Sequence, residues 1–341
     1  MIGNKYYTIA EIASAHNGEV QEVHNILNKF GRTGFDYLKF QVFKLEELVN
    51  IFEEKNSVLK NIEISTSSWQ MIFKEIEENL EDFKNIKFIA EPYDLSSLEL
   101  CKEFKIFDSY KVPTSDLSNL SFIENFLNIT DNLYLGTGGS EINEITETIN
   151  FIKNKRSDIK IKLIHGFQSY PTNVEDMDLW KISFLKEKFD LEVGFADHSD
   201  ASSEVLRYLP ATLALTFGAD FIEKHITMDR SQKKPDYYSS LNPGEINNFL
   251  FSLNAANNLL FRGKNYLLSE SENKYRKSMK KFAIAKKDIS KGEIISGKNV
   301  VFKRSLKGNI SISEANQIID KVALNSISKG SPILRENILE I

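Results

Sequence analysis

Eight short β-rich runs recur along residues 1–265, each separated from the next by a stretch long enough for a helix, and this alternation leaves the chain few architectures. The runs are Tyr6–Ile12, Tyr37–Phe43, Ile86–Ala90, Ser109–Val112, Leu133–Gly136, Ile159–Ile164, Glu192–Ala196 and Phe221–Ile226. Between them, Val20, Val23, Leu27 and Phe30 keep helical spacing, as do Ile142, Ile145, Ile149 and Ile152. The last helix opens with Asn242 as its cap, Pro243 in the first turn and Glu245 at the capping-box position. Strands alternating with helices predict a parallel sheet, and eight of them predict an α/β (β/α)8 barrel, for which roughly 250 residues is usual. The rival is a doubly wound sheet, whose first strand usually leads into a glycine-rich phosphate loop. Here the first strand leads into Ala13-Ser14-Ala15-His16-Asn17-Gly18, which lacks that pattern.

Beyond the barrel pattern the chain changes in kind. Residues 266–280 are polar and charged and read as a linker or an exposed helix. Residues 281–341 hold short strand runs and an internal repeat: Ile289-Ser290-Lys291-Gly292-Glu293-Ile294-Ile295 returns as Ile327-Ser328-Lys329-Gly330-Ser331-Pro332-Ile333, and Asn299-Val300 returns in register as Asn337-Ile338. Two copies predict a pseudo-two-fold module, and about 60 residues is small for independent stability, so the module is expected to lean on a barrel or on a partner subunit.

A net charge of −5 gives no basic footprint for nucleic acid. No apolar run approaches the ~18 residues of a membrane span, and Met1 to Ala10 leads into a strand rather than a secretory leader. The single cysteine, Cys101, lies in an apolar helical pattern and reads as a core residue. Together these predict a cytoplasmic protein.

In such a barrel the functional side chains project from the carboxyl ends of the strands. Polar residues stand there on nearly every run: Glu11; Lys39 and Gln41; Glu91; Lys111 and Thr114; Gly136-Thr137-Gly138-Gly139; His165, Gln168 and Tyr170; Asp197-His198; Glu223 and His225. A purely structural interior would hold Val, Ile and Leu. His198 and His225 end neighbouring strands and are placed either to share one divalent transition metal or to bond backbone. Lys39 and Lys111 are costly in an apolar barrel unless they meet anions; one of them is otherwise suited to Schiff-base chemistry. Glu11 is a general acid or base, or a lysine's partner. Asp197 is a candidate for orienting a histidine. The glycine run offers backbone N–H groups to an anion. His16 and His24 read as surface or helix histidines.

With those residues assembled, the chain resembles the sialic acid synthase family over essentially its full length. Ile9-Ala10-Glu11 with His16-Asn17-Gly18 is similar to the family's opening motif, and Lys39-Phe40-Gln41 to its second-strand Lys-x-Gln. Tyr110-Lys111-Val112-Pro113-Thr114, Tyr170-Pro171-Thr172, Asp197-His198, Glu223-Lys224-His225 and Pro235-Asp236 resemble further motifs in order. The terminal segment with Lys303-Arg304 resembles the antifreeze-like (SAF) domain. The resemblance implies condensation of phosphoenolpyruvate with N-acetylmannosamine or a related diacetamido sugar. It implies His198 and His225 as ligands of Mn2+ (Mg2+ or Co2+ as alternatives), Glu11 as the acid/base residue, and Lys39, Lys111, Thr114 and Thr137 around phosphoenolpyruvate. Gln41, Tyr170, Asp236 and Arg304 would contact the sugar. Arg304 would come from the other subunit of a domain-exchanged homodimer.

The chain also departs from the family's pattern. Glu91 stands where a threonine is usual, Gly136 and Ala196 where serines are, and Gln168 and Ala15 where asparagines are. A carboxylate beside a phosphate is repulsive, so Glu91 is expected to pair with a lysine or to turn away. A lysine aldolase on the same barrel, or an idle homologue that binds polysaccharide or a partner enzyme, are the alternative functions.

Overall fold

The computed structural model describes residues 6–50, 57–260 and 267–338. The chain divides into two compact units, Met1–Gly263 and Lys264–Ile341. In the first, eight parallel strands close into a barrel in chain order: β1 (Tyr7–Glu11), β2 (Tyr37–Val42), β3 (Lys87–Pro92), β4 (Phe107–Val112), β5 (Asn132–Gly136), β6 (Lys160–His165), β7 (Glu192–Asp197) and β8 (Phe221–His225). All eight expected runs are strands. The fourth starts earlier than its β pattern because its pairing with β3 is irregular: Phe107 and Ser109 face consecutive residues of β3, and Asp108 lies between them.

Side-chain alternation sorts the barrel into two layers. Outward residues such as Ala10, Leu38, Phe40 and Leu163 join the helices in one large apolar cluster. The helix Val20–Phe30 buries Val23, Ile26, Leu27 and Phe30, and Ile142–Lys155 buries Ile145, Ile149 and Ile152, as their spacing requires. Asn242 and Glu245 form a reciprocal capping box ahead of the helix Ile246–Leu260. Cys101 is a buried member of this layer. Inward residues form a second cluster of Ile9, Ile89, Tyr134, Ile164, Ala196 and Phe221. The Phe221 ring fills the space beside β7 so fully that a Cβ on Gly194 would stand 2.1 Å from it. Below, at the strands' amino ends, Tyr7 and Tyr134 share a hydrogen bond of 2.9 Å and Lys162 donates to Tyr7 at 3.0 Å. The floor is therefore closed, and only the carboxyl end is left for chemistry.

The second unit carries an exposed helix, Glu270–Met279, and a two-stranded antiparallel sheet of β9 (Lys281–Ala285) and β10 (Val300–Arg304). The sequence repeat is physical. Ile289 and Ile327, the first residues of the two copies, exchange backbone hydrogen bonds of 2.9 and 2.8 Å. Gly292 and Gly330 both take left-handed φ, at 84° and 85°. Asn299 and Asn337 each close the same turn, accepting from Ser296 and Leu334 backbone N–H groups. Among the described residues no helix is long and apolar enough to cross a membrane.

One expectation is corrected here. His16 is neither on the surface nor in a helix: it lies buried in the loop after β1, edge-on to Trp69 with ring centroids 5.9 Å apart, and its Nδ1 accepts the Gly18 N–H at 3.0 Å. The tight turn through Asn17 (φ 51°) and Gly18 (φ 78°) folds the ring inward. Burial, with Lys234 nearby and Glu22 opposing, lowers its pKa from 6.5 to about 4. Between those values the unfolded chain binds a proton that the folded chain refuses. Stability present above pH 6.5 is therefore lost as the pH falls through the window, by about 3 kcal/mol at most. His16→Asn, which keeps an acceptor but does not titrate, is expected to lose about 2–3 kcal/mol less than the unaltered chain between pH 7 and 4.5. Urea unfolding followed by tryptophan fluorescence checks this, since Trp69 and Trp180 both lie in the first unit. Equal losses would mean that His16 is protonated in the fold.

Candidate active site

Glu11, Glu91 and Glu223 each stand two residues beyond an inward apolar residue (Ile9, Ile89, Phe221), so their side chains enter the same barrel interior at its carboxyl end. Strand register supplies their neighbours. Glu11 lies opposite Lys39 on one side and His225 on the other, and Gln41 lies opposite Glu91. Lys39 Nζ meets the carboxylates of Glu11, of Glu91 at 2.9 Å and of Glu223 at 2.7 Å. Lys111 Nζ meets Glu91 at 2.9 Å and Glu223 at 3.8 Å. None of the five is more than 6% exposed.

Pairing decides the charge states. Burial alone would raise the Glu223 carboxyl, but Lys111 and Lys39 outweigh it and hold it at about 2. Burial opposes the charge on Lys111 too, yet Glu223 and Glu91 carry it above the ordinary lysine value. A Schiff-base nucleophile needs a neutral amine. Lys111 is held charged, whereas at Lys39 burial outweighs the pull of Glu223 and Glu91 and lowers the amine, although three carboxylates surround it. Glu91 is paired with both lysines, as its position beside them requires.

The two histidines meet above this cluster, with ring centroids 5.1 Å apart. His198 Nδ1 donates to the Phe167 carbonyl at 2.8 Å, which leaves the lone pair on Nε2. Burial lowers His198 to about 4 and takes His225 well below its usual value, the neighbouring His198 adding to it. Both rings are neutral near pH 7. His225 Nδ1 is buried without a hydrogen-bond partner, with Asp236 Oδ2 4.0 Å away. Two neutral imidazoles, one with an orphaned nitrogen, fit a divalent transition metal with open positions. Among the described residues no group of three or more His, Cys, Asp or Glu is placed to hold an ion.

Tyr170 packs against both rings, at 4.7 and 5.2 Å. Asp236 sits in left-handed backbone (φ 61°), and burial raises its pKa to about 6. Gln41 donates to Glu91 at 3.4 Å. Tyr93, which sequence reasoning passed over, joins this group: burial and then the Glu91 charge push its phenol up, and it bonds the Gln168 side chain. Its position two residues after Glu91 was the available signal. Glu223, noted on its strand without a role, is a second ligand of both lysines.

Parity removes other candidates. Asp197, Lys224 and His165 face the helix layer. Asp197 pairs with Lys224 at 3.0 Å and accepts the Ser199 N–H, so it orients no histidine; the Phe167 carbonyl does that. His165 bonds the Met177 carbonyl at 2.8 Å. Both donors of Thr137, its N–H and its hydroxyl, go to the Ile164 carbonyl at 2.9 and 3.0 Å, so it has none left for an anion. Arg304 ends β10, exposed, in the second unit.

Three of the departures from the family's pattern, Gly136, Ala196 and Ala15, have defined surroundings. A Cβ on Gly136 would stand 2.1 Å from Thr114 Oγ1 and 3.0 Å from Thr114 Cβ. The Thr114 hydroxyl thus occupies the place from which a serine side chain at 136 would start. Ala196 abuts Gly166, whose own Cβ would meet the Ala196 carbonyl at 2.6 Å. Ala15 is buried in the outer apolar cluster.

The NeuB family profile matches residues 26–265, and the SAF domain matches residues 281–339. The chain belongs to the NeuB family. This NeuB-family chain is similar to the N,N'-diacetyllegionaminic acid synthase of Campylobacter jejuni, at 31% identity over 97% of this chain and 99% of that relative. The synthase of the same name from Legionella pneumophila is 29% identical over 97% and 94% of the two chains. Among solved structures, the N-acetylneuraminic acid synthetase of Leptospira borgpetersenii in complex with citrate aligns with a TM-score of 0.69 at 26% identity, covering 81% of this chain and 93% of that one.

The Thr114–Gly136 contact is testable by mutation. Gly136→Ala is expected to destabilise the barrel by about 1–3 kcal/mol through overpacking. Thr114→Ala in the same chain should recover part of that loss, because it removes the nearest atom. Additive losses in urea unfolding would show that the two positions do not compete for one space.

Proposed function

We propose that this NeuB-family chain condenses phosphoenolpyruvate with an open-chain N-acylated amino hexose, releasing phosphate and forming a nine-carbon 2-keto acid of the sialic type. The observation that carries this reading is the barrel mouth, where two buried lysines stand beside two neutral, buried histidines. Likeness to synthases named for an N,N'-diacetylated acid favours a diacetamido-trideoxyhexose over N-acetylmannosamine.

In this reading Lys39 and Lys111 hold the anionic groups of phosphoenolpyruvate, and Thr114 donates its hydroxyl to them. Gln41, Tyr170 and Asp236 position the sugar. His198 and His225 hold a divalent ion, manganese in the first instance, with magnesium or cobalt as alternatives. When bound, such an ion supplies Lewis-acid charge at the sugar aldehyde oxygen. The methylene carbon of phosphoenolpyruvate bonds to the aldehyde carbon, and the aldehyde oxygen takes up a proton. Water adds to the former enol carbon and Glu11 accepts its proton. C–O cleavage expels phosphate and leaves the ketone. Arg304, brought by the partner in a domain-exchanged homodimer, contacts the N-acyl group, where its planar fork suits a carbonyl.

Phosphate release from phosphoenolpyruvate, measured with manganese against a panel of N-acylated hexosamines and their 6-phosphates, is the direct test; the diacetamido sugar should give the highest kcat/KM. Chelation should abolish turnover, and His198→Ala or His225→Ala should lower kcat roughly a hundredfold or more without unfolding the chain. Undiminished release by the double alanine variant would remove metal from the reaction. For the dimer, mixing Arg304→Ala with Glu11→Ala chains should restore roughly a quarter of wild-type activity, since half the dimers are mixed and each has one complete site. No recovery after confirmed subunit exchange would mean that Arg304 serves its own barrel or none.

A further inference from the structure

The acidic and basic side chains at the barrel mouth do not match in number. Three acidic side chains, Glu11, Glu91 and Glu223, stand against only two basic ones, Lys39 and Lys111, all of them buried at the open end of the barrel. The proposed substrate worsens this, because phosphoenolpyruvate brings a carboxylate and a phosphate of about −1.5 to −2 charge. Both lysines already have anions on them, so an incoming anion must displace one.

The three carboxylates differ in how they are held. Glu11 is anchored through Oε1, which accepts the Ala13 N–H at 2.7 Å. Glu223 reaches Lys39 at 2.7 Å but Lys111 only at 3.8 Å. Glu91 alone of the three spans both lysines at close range, with Oε2 2.9 Å from Lys39 and Oε1 2.9 Å from Lys111. Two oxygens bridging two ammonium groups is the same arrangement that a substrate carboxylate or phosphate would adopt there. The Gln41 amide also donates to it, at 3.4 Å, a long bond from a side chain that is only half-buried.

We infer that Glu91 is a built-in counter-anion: it occupies the lysine pair in the empty enzyme, and the substrate anion binds by displacing it. The inference rests on the proposed function and makes Glu91 the residue that sets how tightly the site takes phosphoenolpyruvate. Displacement removes a carboxylate from both lysines as the substrate arrives, so the lysines are never left buried without an anion. It also means that the enzyme gives up affinity, because every binding event must break two ion pairs.

The test is calorimetric titration of the full chain with phosphoenolpyruvate and, separately, with inorganic phosphate. Glu91→Gln keeps the shape and the Gln41 contact but cannot compete as an anion, and Glu91→Thr removes the bridge altogether. Both are expected to bind phosphoenolpyruvate and phosphate at least tenfold more tightly than the unaltered chain. Lys111→Met is the companion variant and should weaken both ligands by a similar factor. Unchanged or weaker binding by the Glu91 variants, with Lys111→Met still weakened, would overturn the counter-anion and leave the proposed function standing. No loss in Lys111→Met would remove the lysine pair as the anion site, and the proposed function with it. Where neither Glu91 variant folds, infrared difference spectra of the unaltered chain carrying 13C-labelled glutamate decide the matter. Phosphoenolpyruvate should shift a labelled carboxylate band, and an unshifted spectrum at saturation would overturn the inference.

Discussion

Two ammonium groups and three carboxylates lie within one barrel interior, none of them more than 6% exposed, and that is tolerable only because each is within reach of an opposite charge. Removing one partner from such a cluster typically costs about 3–5 kcal/mol, since it strands a buried charge. The cluster is therefore a mutual commitment: Glu11 and Glu223 hold Lys39 in place, and Glu223 and Glu91 hold Lys111. The rest of the barrel serves this arrangement. A closed floor of Tyr7, Tyr134 and Lys162 and an apolar middle layer exclude water from below. Chemistry is confined to the open end.

The same exclusion of water prepares the histidines. Burial outweighs the nearby carboxylates and keeps His198 and His225 neutral, which is the state a metal ligand needs. Behind them, the Lys224–Asp197 pair joins β7 to β8 on the outer face. That pair spends two charged residues on tying together the strands whose ends carry the histidines. The second unit is built on a different economy. Its two sequence copies hydrogen-bond each other in equivalent ways, so a short chain acquires a core by repeating one turn.

Much of the fold was legible because its signals are local. Eight strands could be read from β-rich runs, helix faces from the spacing of Val23, Leu27 and Phe30 or of Ile145, Ile149 and Ile152, and the pseudo-two-fold from a repeated Ile-Ser-Lys-Gly. Glu223 and His225, two apart on β8, share a face, as do Lys39 and Gln41 on β2, because alternate residues of a strand point the same way. His16 was misread because nothing in the local residue pattern says that the turn through Asn17 and Gly18 folds the ring inward against Trp69.

By itself, then, the sequence determined the barrel, the terminal module and the set of polar residues that end the strands, since periodicity and turn residues act over a few positions. Only the tertiary structure decided which of those residues meet. Whether Asp197 faces His198 or Lys224, whether Thr137 has a donor to spare, and whether Glu91 is bare or bridged depend on strand parity and on the stagger between strands. Those are set by closing the whole barrel, and no local stretch of chain contains them. Lys39 and Glu223 are 184 positions apart in sequence and 2.7 Å apart in space, because closing the barrel sets β8 against β1, which pairs on its other side with β2.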